Sequence, residues 1–167
     1  MDAEALKKLQ APIKEAYRAE PKQAFITLRA KGSVDDQNIA CKVETGRALA
    51  VAGLHPATGG SGMELCSGDM LLEALVACAG VTLKAVATAL DFRLGRATVT
   101  AEGDLDFRGT LGVAKDAPVG FAAIRLSFDL DTDESEERKA ALLKLTERYC
   151  VVFQTLSARP ELSVRAA

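Results

Sequence analysis

Between Met70 and Leu90 the chain is a nearly unbroken apolar run, in which Glu73, Thr82, Lys84 and Thr88 are the charged or hydroxyl-bearing interruptions. A run of this length could cross a bilayer as a helix. Two features argue against that. Glu73 and Lys84 would each be costly in hydrocarbon, and much of the run is weakly hydrophobic Ala. An apolar helix in a soluble chain has to be covered on more than one face, so the segment predicts a buried central helix. Ser67 is placed to cap its start, and Asp69 complements the positive end of its dipole.

The flanking segments supply the cover. Met1 to Tyr17 carries Leu6, Leu9 and Ile13 on one face and predicts an amphipathic helix ending near Pro21. Gln23 to Ala30 alternates as a strand, and Gly32 with the Asp35-Asp36-Gln37-Asn38 cluster predicts a turn. A second strand follows with Ile39, Cys41 and Val43 on one face. Gly46 then leads into a third around Leu49 and Val51, completing an antiparallel meander. Beyond the central helix, Thr98–Phe107 and Ala123–Asp131 alternate cleanly and predict strands wet on one face. A second helix opens at Thr132–Ser135, with Leu142, Leu145, Tyr149 and Val152 on its apolar stripe. Pro160 separates it from a last strand, Leu162–Arg165. The order of elements is α+β, and 167 residues make one domain of ordinary size.

The formal charge of −2 comes from nearly balanced acids and bases, which favours neither a nucleic-acid backbone nor an anionic membrane as partner. The charged N-terminal segment lacks an apolar core with a cleavage site, so a cytoplasmic location is expected. In that compartment Cys41, Cys66, Cys78 and Cys150 are not expected to form structural disulfides; a disulfide that does form there is usually transient and chemical.

Several common sites can be set aside. His55 is the single histidine, so neither a zinc cluster nor a histidine-based triad can be built around it, and a solvated loop residue is expected. Gly59-Gly60-Ser61-Gly62 lacks the Lys and Ser/Thr of a phosphate cradle and predicts a flexible loop. The acidic run Asp131–Glu137 is explained by helix capping. No metal and no bound cofactor is expected. Cys41 fits the inward register of a strand as a small buried hydrophobe. Cys66 stands just before the central helix, where a thiol pKa can be lowered.

Cys78 and Cys150 each sit in a helix and alone would read as core. Their surroundings say more. Leu71-Leu72-Glu73-Ala74-Leu75-Val76-Ala77-Cys78 with Thr82-Leu83, and Glu147-Arg148-Tyr149-Cys150 with Thr155-Leu156, resemble the two cysteine motifs of the OsmC/Ohr family. The strand pair between them, the leading meander and the terminal strand are similar too. The resemblance covers roughly residues 23 to 166, so that 23–167 form the OsmC-like domain and 1–22 a helical extension.

The resemblance implies an intertwined homodimer with its antiparallel sheet packed around the buried helix. It implies a hydroperoxide substrate, Cys78 as the attacking thiol, Cys150 as the resolving thiol, and an external dithiol reductant. The family holds its reactive thiolate beside an arginine fixed by a carboxylate. Asp69 stands at the carboxylate position, one methylene shorter than the usual Glu. Arg47 is the first choice for the arginine and Arg29 the reserve. Val151 stands where the family commonly has Pro, and without Pro the helix is free to run on through Cys150. Apolar surroundings favour an organic hydroperoxide. Two other readings share the same fold: a binder of small apolar ligands with inert thiols, and a redox sensor without turnover.

Overall fold

The computed structural model describes residues 2–20, 31–34, 40–44, 49–112 and 114–166. By contact the chain divides into two compact units. One contains Met1–Ala16, Ala74–Thr100 and Leu126–Ala167, the other Tyr17–Glu73 and Ala101–Arg125. The first helix, α1 (Ala3–Ala19), opens where the Asp2 carboxylate accepts from the Ala5 N–H at 2.8 Å.

In the second unit, β1 (Lys31–Val34), β2 (Ala40–Glu44) and β3 (Leu49–Gly53) pair antiparallel in sequence order, with Cys41 opposite Ala52. The meander is therefore present. Its first described strand includes Gly32, which was expected in the turn, while the strand expected at 23–30 lies outside the described residues. A two-residue strand, β4 (Leu65–Cys66), adds parallel to β3.

The segment between β3 and β4, read from its glycines as a loop, contains a capped turn. His55 caps a 3-10 turn, Pro56–Thr58, by accepting the Ala57 N–H on Nδ1 at 3.0 Å, and its ring stacks on Phe107. A Cβ on Gly60 would lie 1.7 Å from the Leu54 carbonyl oxygen, so only glycine allows that approach.

The apolar run forms α2 (Ser67–Ala89), which includes Ser67 in its first turn. By length and composition it could cross a membrane. Leu75, Ala79, Leu83 and Ala87, four residues apart, form its buried stripe. Cover on more than one face, expected from the sequence, is not what the single chain provides: Val81 is 73% exposed. Hydrophobic content reports that a face needs cover, and cannot say whether the same chain supplies it.

Leu83 and Ala87 pack with Phe92 and Leu142, joined at the edges by Val99, Phe128 and Leu130. The last two lie on β6 (Phe121–Leu130) and Val99 on β5 (Ala97–Leu105), neighbours in a two-stranded sheet. The alternation of β5 was expected to run to Phe107. The Asp106 side chain instead accepts the Arg108 N–H and starts a short helix, α3 (Phe107–Thr110).

Ser135 caps α4 (Glu136–Tyr149) with Glu136 and Glu137 in its first turn, as capping predicted. Arg138 bonds both Glu134 and the carbonyls of Leu90 and Asp91, tying the end of α2 to the start of α4. Tyr149 was assigned to the apolar stripe, yet it is 58% exposed, and Thr146 takes the buried position with its hydroxyl donating to the Leu142 carbonyl at 2.8 Å.

The second helix does not run on. It stops at Tyr149, and α5 (Val151–Ala158) begins afresh. Residues 160–166 form no strand, and Leu162 and Val164 are exposed. Alternation alone does not make a strand; ladder partners are also required.

Leu142 is fully buried where α2, α4 and the strands meet. Leu142→Ala is expected to lower stability by about 2–5 kcal/mol in denaturant unfolding. A loss below about 1 kcal/mol would mean that this cluster is not the core.

Candidate active site

Cys78 and Cys150 come together within one unit, on α2 and at the junction of α4 and α5 respectively. The junction is built from backbone geometry. Cys150 still donates its N–H to the Thr146 carbonyl at 2.9 Å, closing α4, but its own φ −73°, ψ 108° is extended. Its carbonyl then accepts the Gln154 N–H at 2.9 Å as the first bond of α5. Cys150 is thus the last link of one helix and the N-cap of the next.

A new helix start leaves backbone N–H groups without partners inside the helix. Here those groups meet sulfur. The backbone N–H groups of Val152 and Val151 favour the Cys78 thiolate, and those of Phe153 and Val152 favour that of Cys150. The Cys150 thiol and the Thr82 hydroxyl, one turn along α2, add to the lowering at Cys78.

These contacts set the two sulfurs apart. Burial by itself pushes the Cys78 thiol up, but the donors from Val152, Cys150, Val151 and Thr82 together hold it below the ordinary thiol value. For Cys150, burial again pushes up. The Phe153 and Val152 amides oppose this, but donating to Cys78 and facing its negative charge raise Cys150 further, so its net shift is upward. Of the two, Cys78 is the sulfur whose thiolate form is favoured, and Cys150 the one that holds its proton more tightly. Cys78 is half-buried and Cys150 fully buried, so the residue with the lowered thiol is the more exposed of the two.

Of the remaining residues singled out in the sequence, Asp69 occupies the first turn of α2, where it lines a hollow of about 380 Å³ with His55, Cys66, Phe107 and Phe121. Nine positions separate it from Cys78, two and a half helical turns, so the two residues face opposite sides of α2. Arg47 and Arg29 lie outside the described residues, as does the side chain of Cys41. Cys66 is half-buried at the end of β4. Among the described residues no group of three or more His, Cys, Asp or Glu is placed to hold a metal ion.

Sequence reasoning quoted Thr82 only as part of a pattern, although its place four residues after Cys78 puts it on the same helix face. It missed the amides of Val151 and Val152 altogether. They become available only because the helix breaks, and neither Gly nor Pro marks that break.

A protein-family model described as OsmC-like protein matches residues 59–165, more than half of the chain. No curated protein matches. Among solved structures, the fold is similar to that of an OsmC-like protein from Mycoplasma pneumoniae, with a TM-score of 0.66 and 14% identity over 80% of this chain and 89% of that one. It is similar also to a Legionella pneumophila protein described as an organic hydroperoxide resistance protein OsmC, with a TM-score of 0.62 and 17% identity over 80% and 91%. An organic hydroperoxide resistance protein from Elizabethkingia anophelis gives a TM-score of 0.63 and 16% identity over 80% and 90%. At these identities the likeness shows the fold.

The opposite shifts of the two thiols have a direct readout. Alkylation follows the thiolate fraction, so a lowered pKa moves the rise in rate to lower pH and a raised one to higher pH. Peptide mass spectrometry of iodoacetamide-treated protein should find the Cys78 midpoint below the ordinary thiol value of about 8.5 and that of Cys150 above it. The reverse order would contradict the assignment of roles.

Proposed function

The chain belongs to the OsmC-like protein family, and from that premise we propose that it reduces organic hydroperoxides to alcohols through Cys78 and Cys150, drawing electrons from an external dithiol. The observation that carries this reading is the asymmetric pair: a half-buried Cys78 whose thiol is lowered by helix N-terminal amides, beside a buried Cys150 whose thiol is raised.

The Cys78 thiolate attacks the terminal oxygen of R–O–OH, the O–O bond breaks, and the alkoxide takes a proton from solvent to leave as ROH. Cys78 is now a sulfenic acid. The Cys150 sulfur attacks the Cys78 sulfur, and the hydroxyl group leaves with the Cys150 proton as water, giving a disulfide. A dithiol reduces that bond by two exchanges and is itself oxidised to a disulfide. The amides of Val151 and Val152 lower the energy of the starting thiolate. Contact between the sulfurs means that resolution needs little movement.

Neither Asp69 nor Arg47 is needed to explain the lowered thiol; any Arg47–Asp69 contribution adds to the amides. An apolar substrate tail is favoured by the surroundings of the pair, where Val81 and Val151 are 73% and 69% exposed. The same apolar exposure supports a homodimer in which a second copy covers this face. We place the activity in the cytoplasm, where a dithiol pool is at hand.

Purified protein given a dithiol and either cumene hydroperoxide or hydrogen peroxide should turn over, faster with the organic substrate. Cys78→Ser should fall to the rate of the protein-free mixture. Cys150→Ser should still be oxidised at Cys78 but lose rapid turnover. Reversible oxidation without turnover would replace this reading by a sensor, and thiols unchanged by peroxide would leave a ligand-binding protein.

A further inference from the structure

The break between α4 and α5 poses a question of hydrogen-bond accounting. In an unbroken helix the Val151 N–H would donate to the Glu147 carbonyl four residues back. Two things are lost if it turns away: the helix loses a bond, and the carbonyl loses its donor. Nothing in the local sequence forbids the unbroken helix, because Val151 has an N–H and can occupy helical geometry.

A substitute is present. The Gln154 side-chain amide reaches back across the junction and donates from Nε2 to the Glu147 carbonyl at 3.0 Å. The same residue's backbone N–H donates to the Cys150 carbonyl at 2.9 Å, the first bond of α5. Gln154 therefore bridges the two helices from one residue, satisfying the last turn of α4 with its side chain and the N-cap of α5 with its backbone.

We propose that Gln154 is a positioning residue for the Cys78 reaction: its side-chain amide takes over the Glu147 carbonyl and so leaves the Val151 N–H free to donate to the Cys78 sulfur. The inference rests on the reading of Cys78 as nucleophile. Gln154 touches neither sulfur with its side chain in this account, and acts only through the backbone of Val151. In the Val151 position a proline would produce the break by itself. Its ring carries no N–H to compete for Glu147, position 151 is the first of α5, where proline is well tolerated, and the extended Cys150 backbone suits a residue that precedes proline. This chain has valine there, so the break needs another support, and in exchange it keeps an additional donor for sulfur.

The test is the pH dependence of Cys78 alkylation by iodoacetamide, followed on the Cys78 peptide by mass spectrometry in the whole protein. It uses no peroxide, so its outcome is separable from whether the protein turns over. Gln154→Met keeps length and loses the donor. It should slow alkylation roughly threefold to tenfold near neutral pH, with the limiting rate at high pH unchanged, because only the thiolate fraction falls. A merely structural role would lower Tm and leave this profile in place.

Val151→Pro removes the Val151 donor and enforces the break. It should slow alkylation on its own, and adding Gln154→Met to it should change nothing further. This double variant also serves where Gln154→Met alone fails to fold, since the proline holds the junction without Gln154. A Gln154→Met profile that superimposes on the parent's would overturn the proposal. So would an equal slowing by Gln154→Met in the Val151→Pro background, because the effect would then not pass through the Val151 N–H.

Discussion

Backbone N–H groups of Val151 and Val152 reach the Cys78 sulfur only because α4 ends at Tyr149 and the chain leaves helical geometry at Cys150. Burial makes a thiol resist ionisation. The start of α5 reverses that balance with donors that cost no desolvated charge of their own, since amides are neutral and already fixed in direction by the helix. One geometric event supplies the donors, brings Cys150 against Cys78, and buries Cys150 so that it keeps its proton.

The surrounding fold holds that event in place. The stripe Leu75, Ala79, Leu83 and Ala87 anchors α2. Leu142 and Phe92 join Leu83 and Ala87 from the other side, and Arg138 ties Glu134 at the head of α4 to the carbonyls that end α2. Thr146, one turn before the junction, is buried but spends its hydroxyl on the Leu142 carbonyl. The packing thus fixes α4 against α2 over several turns before the chain reaches Cys150.

Much of this was legible in the residues. Period-two alternation located β5 and β6, where half-buried residues alternate with exposed ones, and β2 as well. Two motifs marked Cys78 and Cys150 as a pair before any geometry was known. The α4–α5 break was not legible. Val151 and Val152 carry no helix-stopping signal as strong as Gly or Pro, and the contacts that stabilise the break come from Cys78, more than seventy positions away, and from the Gln154 side chain. The last strand was overread for the opposite reason. Leu162 and Val164 alternate as a strand should, but alternation cannot supply a ladder partner. Phe107 likewise continues the pattern of β5, and the Asp106 cap diverts it into α3.

The most direct measurement is disulfide mapping after one equivalent of cumene hydroperoxide, with free thiols blocked before digestion. The account predicts one Cys78–Cys150 disulfide per chain, with Cys41 and Cys66 recovered as blocked thiols. An oxidised product that pairs Cys66 or Cys41, or a protein whose Cys78 is still fully blocked by the alkylating agent, would contradict it.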